Sequence, residues 1–103
     1  MVPFQLNNIE IIEINEAFAA VPLVSTKMLV ERYYGGDEDK LRQLREKTNI
    51  NGSAIAIGHP NTASGARIIM TLCYELKRRG GGLALVAICG GLAQADACVL
   101  KGE

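Results

Sequence analysis

Three short stretches of this chain carry side chains able to do chemistry: "NEAF" at residues 15–18, "IGHPNTASGA" around His59, and "CGGLAQ" beginning at Cys89. His59 is the sole histidine. Gly58 lets the backbone pass closely, and Pro60 stiffens the exit. A long helical pattern follows, whose free N–H groups and partial positive charge favour a neutral imidazole that donates or accepts a hydrogen bond. A lone loop histidine is more often structural, and it is the Gly-His-Pro context that shifts the balance. Cys89 ends an apolar run and precedes Gly90 and Gly91, whose N–H groups can turn toward one point as an oxyanion hole. A free thiol has a pKa near ~8.5, so beside a histidine it can donate or accept a proton near neutrality. Cys73, within a helical pattern, and Cys98, within a strand pattern, fit the inert core residue that free cysteine usually is. Asn15 either caps the helix that follows it or fixes a water or a substrate carbonyl. Glu16 suits the dipole of that helix, and Phe18 either lines a pocket or fills core.

These groups need elements to position them. "NIEIIEIN" alternates and then doubles its isoleucines at Ile11 and Ile12, which predicts a strand buried on most of both faces and broken at Asn15. From Glu16 to Tyr34 the pattern is helical, and Pro22, tolerated near a first turn, places the start near Ala20. "DEDKLRQLREKT" reads as a charged surface helix capped by Asp37, with Leu41 and Leu44 facing inward. "NINGSAIAI" predicts a second strand over residues 49–57. "TASGARIIMTLCYELKRRG" predicts a long helix with Ala66, Ile69, Met70, Cys73 and Leu76 on one face, closing on Lys77, Arg78 and Arg79 before Gly80. "GLALVAIC" and "ADACVLK" predict two buried strands joined by a glycine-containing turn. The order β-α-(α)-β-α-β-β argues an α/β fold with parallel pairs and an antiparallel end. In such sheets reactive groups gather at the carboxyl ends of strands, and all three stretches follow predicted strands.

The bulk numbers bound the possibilities. A chain of 103 residues that is 49% hydrophobic suits one domain over residues 1–103. Eleven basic against eleven acidic residues leave no broad basic face for nucleic acid and no acidic tail. The opening "MVPFQLNN" has neither a basic start nor a long apolar core, and no apolar run approaches the roughly 20 residues that span a bilayer, so no membrane partner and a cytoplasmic location are expected. Three cysteines without a C-x-x-C argue against a disulfide framework or a zinc site, and no metal is expected.

Taken together, "NEAF", "NINGSAIAIGHP…ASGAR" and "CGGLAQADA" resemble the C-terminal domain of the thiolases, the family of acetyl-CoA acetyltransferases and 3-ketoacyl-CoA thiolases, in order and spacing over almost the whole chain. The resemblance implies an acyltransferase of fatty acid metabolism. It would cleave a 3-ketoacyl-CoA with coenzyme A, or condense two acyl-CoAs in reverse, through an acyl-cysteine intermediate. Coenzyme A and acyl-CoA would be substrates, with no separate cofactor. Cys89 would then be the acid/base thiol, protonating the leaving acetyl-CoA enolate or removing the α-proton in condensation. By the same resemblance His59 would activate the nucleophilic cysteine and donate to a thioester oxygen. Asn15 would hold the water that completes that oxyanion hole, and the Gly91 N–H would contribute to a second.

The chain also departs from the family pattern. Leu92, Ala93 and Ala95 stand where the family has glycine, which bears on the turn and on the second oxyanion hole, because a Cβ is unwelcome wherever φ is positive. Asn61 and Thr62 follow "GHP" in place of the usual Ile-Gly or Val-Gly, changing the entry to the long helix. The nucleophilic cysteine of the family lies in an N-terminal domain of which this chain has no trace. The first strand and helix of the C-terminal half are also missing, and that strand is central in the family's sheet. Two unpaired buried edges are therefore expected, and with them a fragment or split-enzyme subunit that is inactive without an N-terminal half and prone to oligomerise. The alternative is a non-catalytic oligomerisation or regulatory module derived from a thiolase.

Overall fold

Strand β1 (Ile11–Ile14) is buried at every position, and the domain is layered on both of its faces. In the computed structural model, which describes residues 5–103, the sheet has three strands in the order β1, β2 (Gly82–Cys89), β3 (Ala95–Gly102). The reading of the opening residues as lacking a leader falls largely on residues 1–4, outside those described. β1 runs parallel to β2, with Ile11 opposite Ala84 and Ile14 opposite Ala87. β2 and β3 form the expected antiparallel pair, Gly82 opposite Gly102 and Cys89 opposite Ala95.

Side chains alternate across the sheet, as a period of two requires. Ile12 and Ile14, with Leu83, Leu85 and Ala87 of β2, pack against Val30 of α1 (Ala20–Tyr34) and Leu44 of α2 (Glu38–Glu46). Ile11, with Ala84 and Val86, packs against Ile68, Leu72 and Leu76 of α4 (Ser64–Arg79). The helix starts read from sequence hold. Pro22 sits in the first turn of α1, where its missing N–H has no intrahelical partner to lose, and Asp37 caps α2 by accepting from the Lys40 N–H at 2.9 Å.

Three expectations are corrected. No strand forms over residues 49–57. Asn49 (φ 53°) and Gly52 (φ 78°) turn the chain, and α3 (Ala54–Ile57) is a single helical turn. The Asn49 carboxamide replaces the lost ladder: its Oδ1 accepts from the Ile14 N–H at 2.7 Å and its Nδ2 donates to the Ile14 carbonyl at 2.9 Å. Second, the sheet has no gap, because β1 hydrogen-bonds directly to β2, and the two edges expected to stand unpaired satisfy each other. Third, α4 turns a different face inward. Ile68, Leu72 and Leu76 meet the sheet at i, i+4, i+8 spacing, while Ile69, Met70 and Cys73 are exposed, as is Cys98 on β3. The helix thus carries two apolar stripes, and this chain covers one. Among the described residues no helix is long and apolar enough to cross a membrane.

Gly80, at φ 83°, ends α4, and the chain re-enters the sheet at Gly82, so α4 runs back along β2 and brings its first turn to the carboxyl ends of β1 and β2. Near its other end Glu75 is buried and accepts hydrogen bonds from Arg78, from Arg79 at 2.7 Å and from the Asn51 carboxamide at 3.4 Å. Hydrogen bonds from Arg78 and then Arg79 hold its carboxyl down at about 2, against an ordinary 4.5. The folded value lies below the unfolded one, so this stabilisation is complete above about pH 4.5 and disappears as pH falls toward 2. Thermal unfolding followed by circular dichroism should show Glu75→Gln losing melting temperature relative to the parent at pH 6 and converging on it near pH 2. A gap that stays constant with pH would contradict this role.

Candidate functional site

Asn15 follows β1 directly, and its N–H donates to the Ala87 carbonyl at 2.9 Å, two residues before Cys89. The parallel register therefore delivers the Asn15 carboxamide and the Cys89 thiol to the same end of the sheet. Asn15 is fully buried, yet neither its Nδ2 nor its Oδ1 has a hydrogen-bond partner among the described residues. It does not cap α1, which begins five residues later at Ala20. An unpaired buried amide costs about 1–3 kcal/mol, and native structures keep such groups where water or ligand serves as partner. Cys89 is exposed at the end of β2, so it is not a packed core thiol.

Beyond Cys89 the chain reverses through Gly91, Leu92, Ala93 and Gln94. Leu92 (φ 56°) and Ala93 (φ 59°) both occupy the left-handed region, and the Gln94 N–H closes on the Gly91 carbonyl at 3.3 Å. This is the hairpin turn with positive φ at both central positions, in which glycine or asparagine is the natural occupant. The Gly91 N–H makes no backbone hydrogen bond among the described residues and stays available. Ala95, the third glycine replacement, opens β3 in an ordinary extended conformation and carries no such strain.

His59 lies in an exposed loop that follows the turn of α3 rather than a strand, which corrects the picture of three strand ends to two. Its Nδ1 meets the Oγ of Ser64 at 2.5 Å, and Ser64, fully buried, opens α4. The imidazole is thus tethered to the helix N-terminus that sits at the carboxyl end of the sheet. Glu16 serves a helix end, although that of α3 and not of α1: its Oε1 accepts from the Ile55 N–H at 3.3 Å, tying the "NEAF" segment to the histidine segment. Phe18 is 76% exposed, which rules out core filling. A groove of about 1090 Å³, lined by Ile14, Met28, Leu29, Tyr34, Leu85 and Ala97 among others, lies on the α1 side and touches none of Asn15, His59 or Cys89.

Sequence reasoning missed the polar frame beneath these loops. Glu13 lies two residues before Asn15 and on the same face of β1, is 1% exposed, and pairs with Arg67 of α4 at 3.1 Å. Arg67 also donates to the Oγ of buried Ser53 at 3.0 Å, immediately before α3. Burial pushes the Glu13 carboxyl above its ordinary value, outweighing the hydrogen bonds from Ser53 and Arg67 that lower it. A glutamate inside the otherwise apolar "IIEI" was the available signal, because a charge in a doubly buried strand needs a partner.

The sequence matches the family model "Thiolase, C-terminal domain" over residues 2–102. It is 50% identical over 96 residues, 93% of its length, to a probable acetyl-CoA acetyltransferase of Mycolicibacterium smegmatis, and 44% identical over 88% of its length to a 3-ketoacyl-CoA thiolase of Shewanella amazonensis. Among solved structures, the acetyl-CoA acetyltransferase of Bacillus anthracis superposes with a TM-score of 0.75 at 37% identity over 97% of this chain. The human mitochondrial 3-ketoacyl-CoA thiolase in complex with CoA does so with the same score of 0.75 at 39% identity over 97%. The chain spans 22% of the length of each of these relatives.

The turn beside Cys89 generates a direct test. Left-handed backbone costs an L-residue roughly 1–2 kcal/mol, and glycine returns about half of that through its greater unfolded-state entropy. The double variant Leu92→Gly, Ala93→Gly should therefore gain about 1–2 kcal/mol in urea unfolding. A double variant no more stable than its parent would show that the turn carries no strain.

Proposed function

This chain belongs to the thiolase family, matching its C-terminal domain, and from that premise we propose that residues 1–103 form a single domain supplying the acid/base half of a thiolase-type acyl-CoA acyltransferase. The nucleophilic cysteine comes from an N-terminal half or a partner subunit. In cleavage, that cysteine attacks the 3-keto carbon of a 3-ketoacyl-CoA, the bond between C2 and C3 breaks, and the acyl group stays on sulfur. The Cys89 thiol gives its proton to the departing acetyl-CoA enolate, and in condensation the Cys89 thiolate takes the α-proton. His59, oriented through its contact with Ser64, activates the nucleophile and donates to a thioester oxygen. Asn15 holds the water that completes this first oxyanion hole, and the Gly91 N–H serves the second. Phe18, exposed near the same loops, lines the acyl pocket.

The observation that carries this assignment is the Asn15 carboxamide, buried at the carboxyl end of β1 with both polar atoms unpaired among the described residues. A structural asparagine at such a position would be hydrogen-bonded by its neighbours. The need for a partner half is supported by the exposed apolar stripe of α4, Ile69, Met70 and Tyr74. The likeness to the CoA-bound human thiolase supports CoA and acyl-CoA as substrates. The strained residues Leu92 and Ala93 favour a second reading, a non-catalytic module that oligomerises through its apolar faces. Native mass spectrometry would support that reading by finding a homo-oligomer indifferent to acyl-CoA.

The chain should be co-expressed with the N-terminal remainder of a bacterial acetyl-CoA acetyltransferase relative, and thiolysis of acetoacetyl-CoA followed. Steady turnover is expected for the complex and for neither part alone. Cys89→Ser should lower kcat by about 10²-fold or more, the usual weight of a positioned general acid/base. A well-formed complex without turnover, or turnover that survives Cys89→Ser, would contradict the assignment.

A further inference from the structure

The pair of Glu13 and Arg67 is more than a tie between a helix and a strand. Glu13 is 2% and Arg67 16% exposed at the side chain, between elements that pack through the apolar Ile11, Ile68 and Leu72. Two apolar side chains of similar volume would stabilise such a site at least as well, because a buried ion pair regains through attraction little more than its ions lose in leaving water. The pair is also imperfect: Arg67 Nε has no partner among the described residues, and burial pushes the Glu13 carboxyl up despite the guanidinium beside it. An arrangement poor for stability but fixed in geometry calls for another role.

Its geometry supplies one. One arm of the Arg67 guanidinium reaches Glu13 at 3.1 Å, on the strand face that carries Asn15 two residues later. The other arm reaches Ser53 at 3.0 Å, where the segment leading to His59 begins. Arg67 itself stands one helical turn after Ser64, whose Oγ holds the far end of that segment through His59 Nδ1. One planar fork therefore ties the strand under Asn15 to the start of the His59 segment, whose far end Ser64 holds on the same helix, and a lysine's single ammonium cannot duplicate that fork. We propose that Arg67 is the positioning residue that fixes the His59 imidazole relative to the Asn15 carboxamide, with Glu13 and Ser53 as its two anchors. The catalytic part of this inference rests on the thiolase reading above, whereas the ordering of His59 does not.

The test replaces the pair with apolar side chains, Glu13→Met together with Arg67→Met, which removes the fork without leaving a lone buried charge. In the co-expressed complex the double variant is expected to keep its melting temperature and its KM for acetoacetyl-CoA within twofold, while kcat falls at least 10-fold, the scale on which misplacement of a reacting group acts. In the chain itself, the ¹⁵N signals of His59 at fixed pH are expected to change from one tautomer to an average of two. Ser53→Ala, which cuts one arm and leaves the ion pair, should give the same His59 change with a smaller loss of kcat. A folded double variant with kcat within twofold of the parent and the parental His59 pattern overturns the proposal. Should the double variant not fold, a parental His59 pattern in Ser53→Ala overturns it. If the parent complex itself shows no turnover, it is the thiolase reading that fails, and the His59 signals still decide the positioning role.

Discussion

The domain depends on one short strand being hydrogen-bonded along both of its edges. β1 has four residues, and it gives its inner edge to β2 and its outer edge to residues 47–49. On the outer side the Ile12 N–H donates to Lys47 and its carbonyl accepts from Asn49, after which the Asn49 side chain takes over at Ile14. A side-chain amide has the same donor and acceptor as a peptide group, so the strand is satisfied to its end while the backbone beside it is already turning away. That turn lets Ser53, α3 and the His59 loop cross to the α4 side of the sheet. Without it the segment would have to continue as a strand, and His59 would leave the sheet elsewhere.

From this strand the polar and apolar demands divide. Ile12 and Ile14 anchor α1 and α2, and Ile11 anchors α4, so hydrophobic burial on two faces fixes where the helices lie. Glu13 and Asn15 share the α4 face with Ile11, and both are polar groups that a purely structural strand would not carry there. Glu13 meets Arg67, while Asn15 meets nothing within the described chain. On the α4 face, apolar burial thus lies at the start of β1 and polarity toward its carboxyl end, the end at which α/β sheets place their chemistry. The same pattern recurs on β2, whose interior residues Ala84 and Val86 are buried and whose final residue is the exposed Cys89.

What the sequence revealed follows the same division. Helix starts were readable because local chemistry sets them: Pro22 cannot sit deep in α1, and Asp37 is a side chain made for the N-cap of α2. Strand positions were readable where apolar runs were continuous, although β3, read as buried, is exposed along most of its length. The segment 49–57 was not, because its alternating Ala54, Ile55, Ala56 and Ile57 suit a strand, whereas Asn49 and Gly52 adopt positive φ that no periodicity reports. The inward face of α4 was misread for another reason. Its sequence carries two apolar stripes, and only tertiary context decides that Ile68, Leu72 and Leu76 meet this sheet while Ile69 and Met70 face outward. Cys89, His59, Asn15 and Gly91 were identifiable as residue types at loop positions. The frame beneath them, Arg67 with Glu13 and Ser53, joins residues 54 and 14 positions apart and leaves no mark on a local pattern.

The central claim is that the buried Asn15 carboxamide has no hydrogen-bond partner among the described residues. Chemical unfolding of Asn15→Leu tests this most directly, since leucine has nearly the shape of asparagine and no polar atoms to leave unsatisfied. If the carboxamide stands unpaired, the variant domain becomes more stable than the parent by about 1–3 kcal/mol, the cost of the unmade hydrogen bonds. A loss of similar size would mean that Asn15 is bonded within the fold and serves the structure, and the account of this site would be wrong.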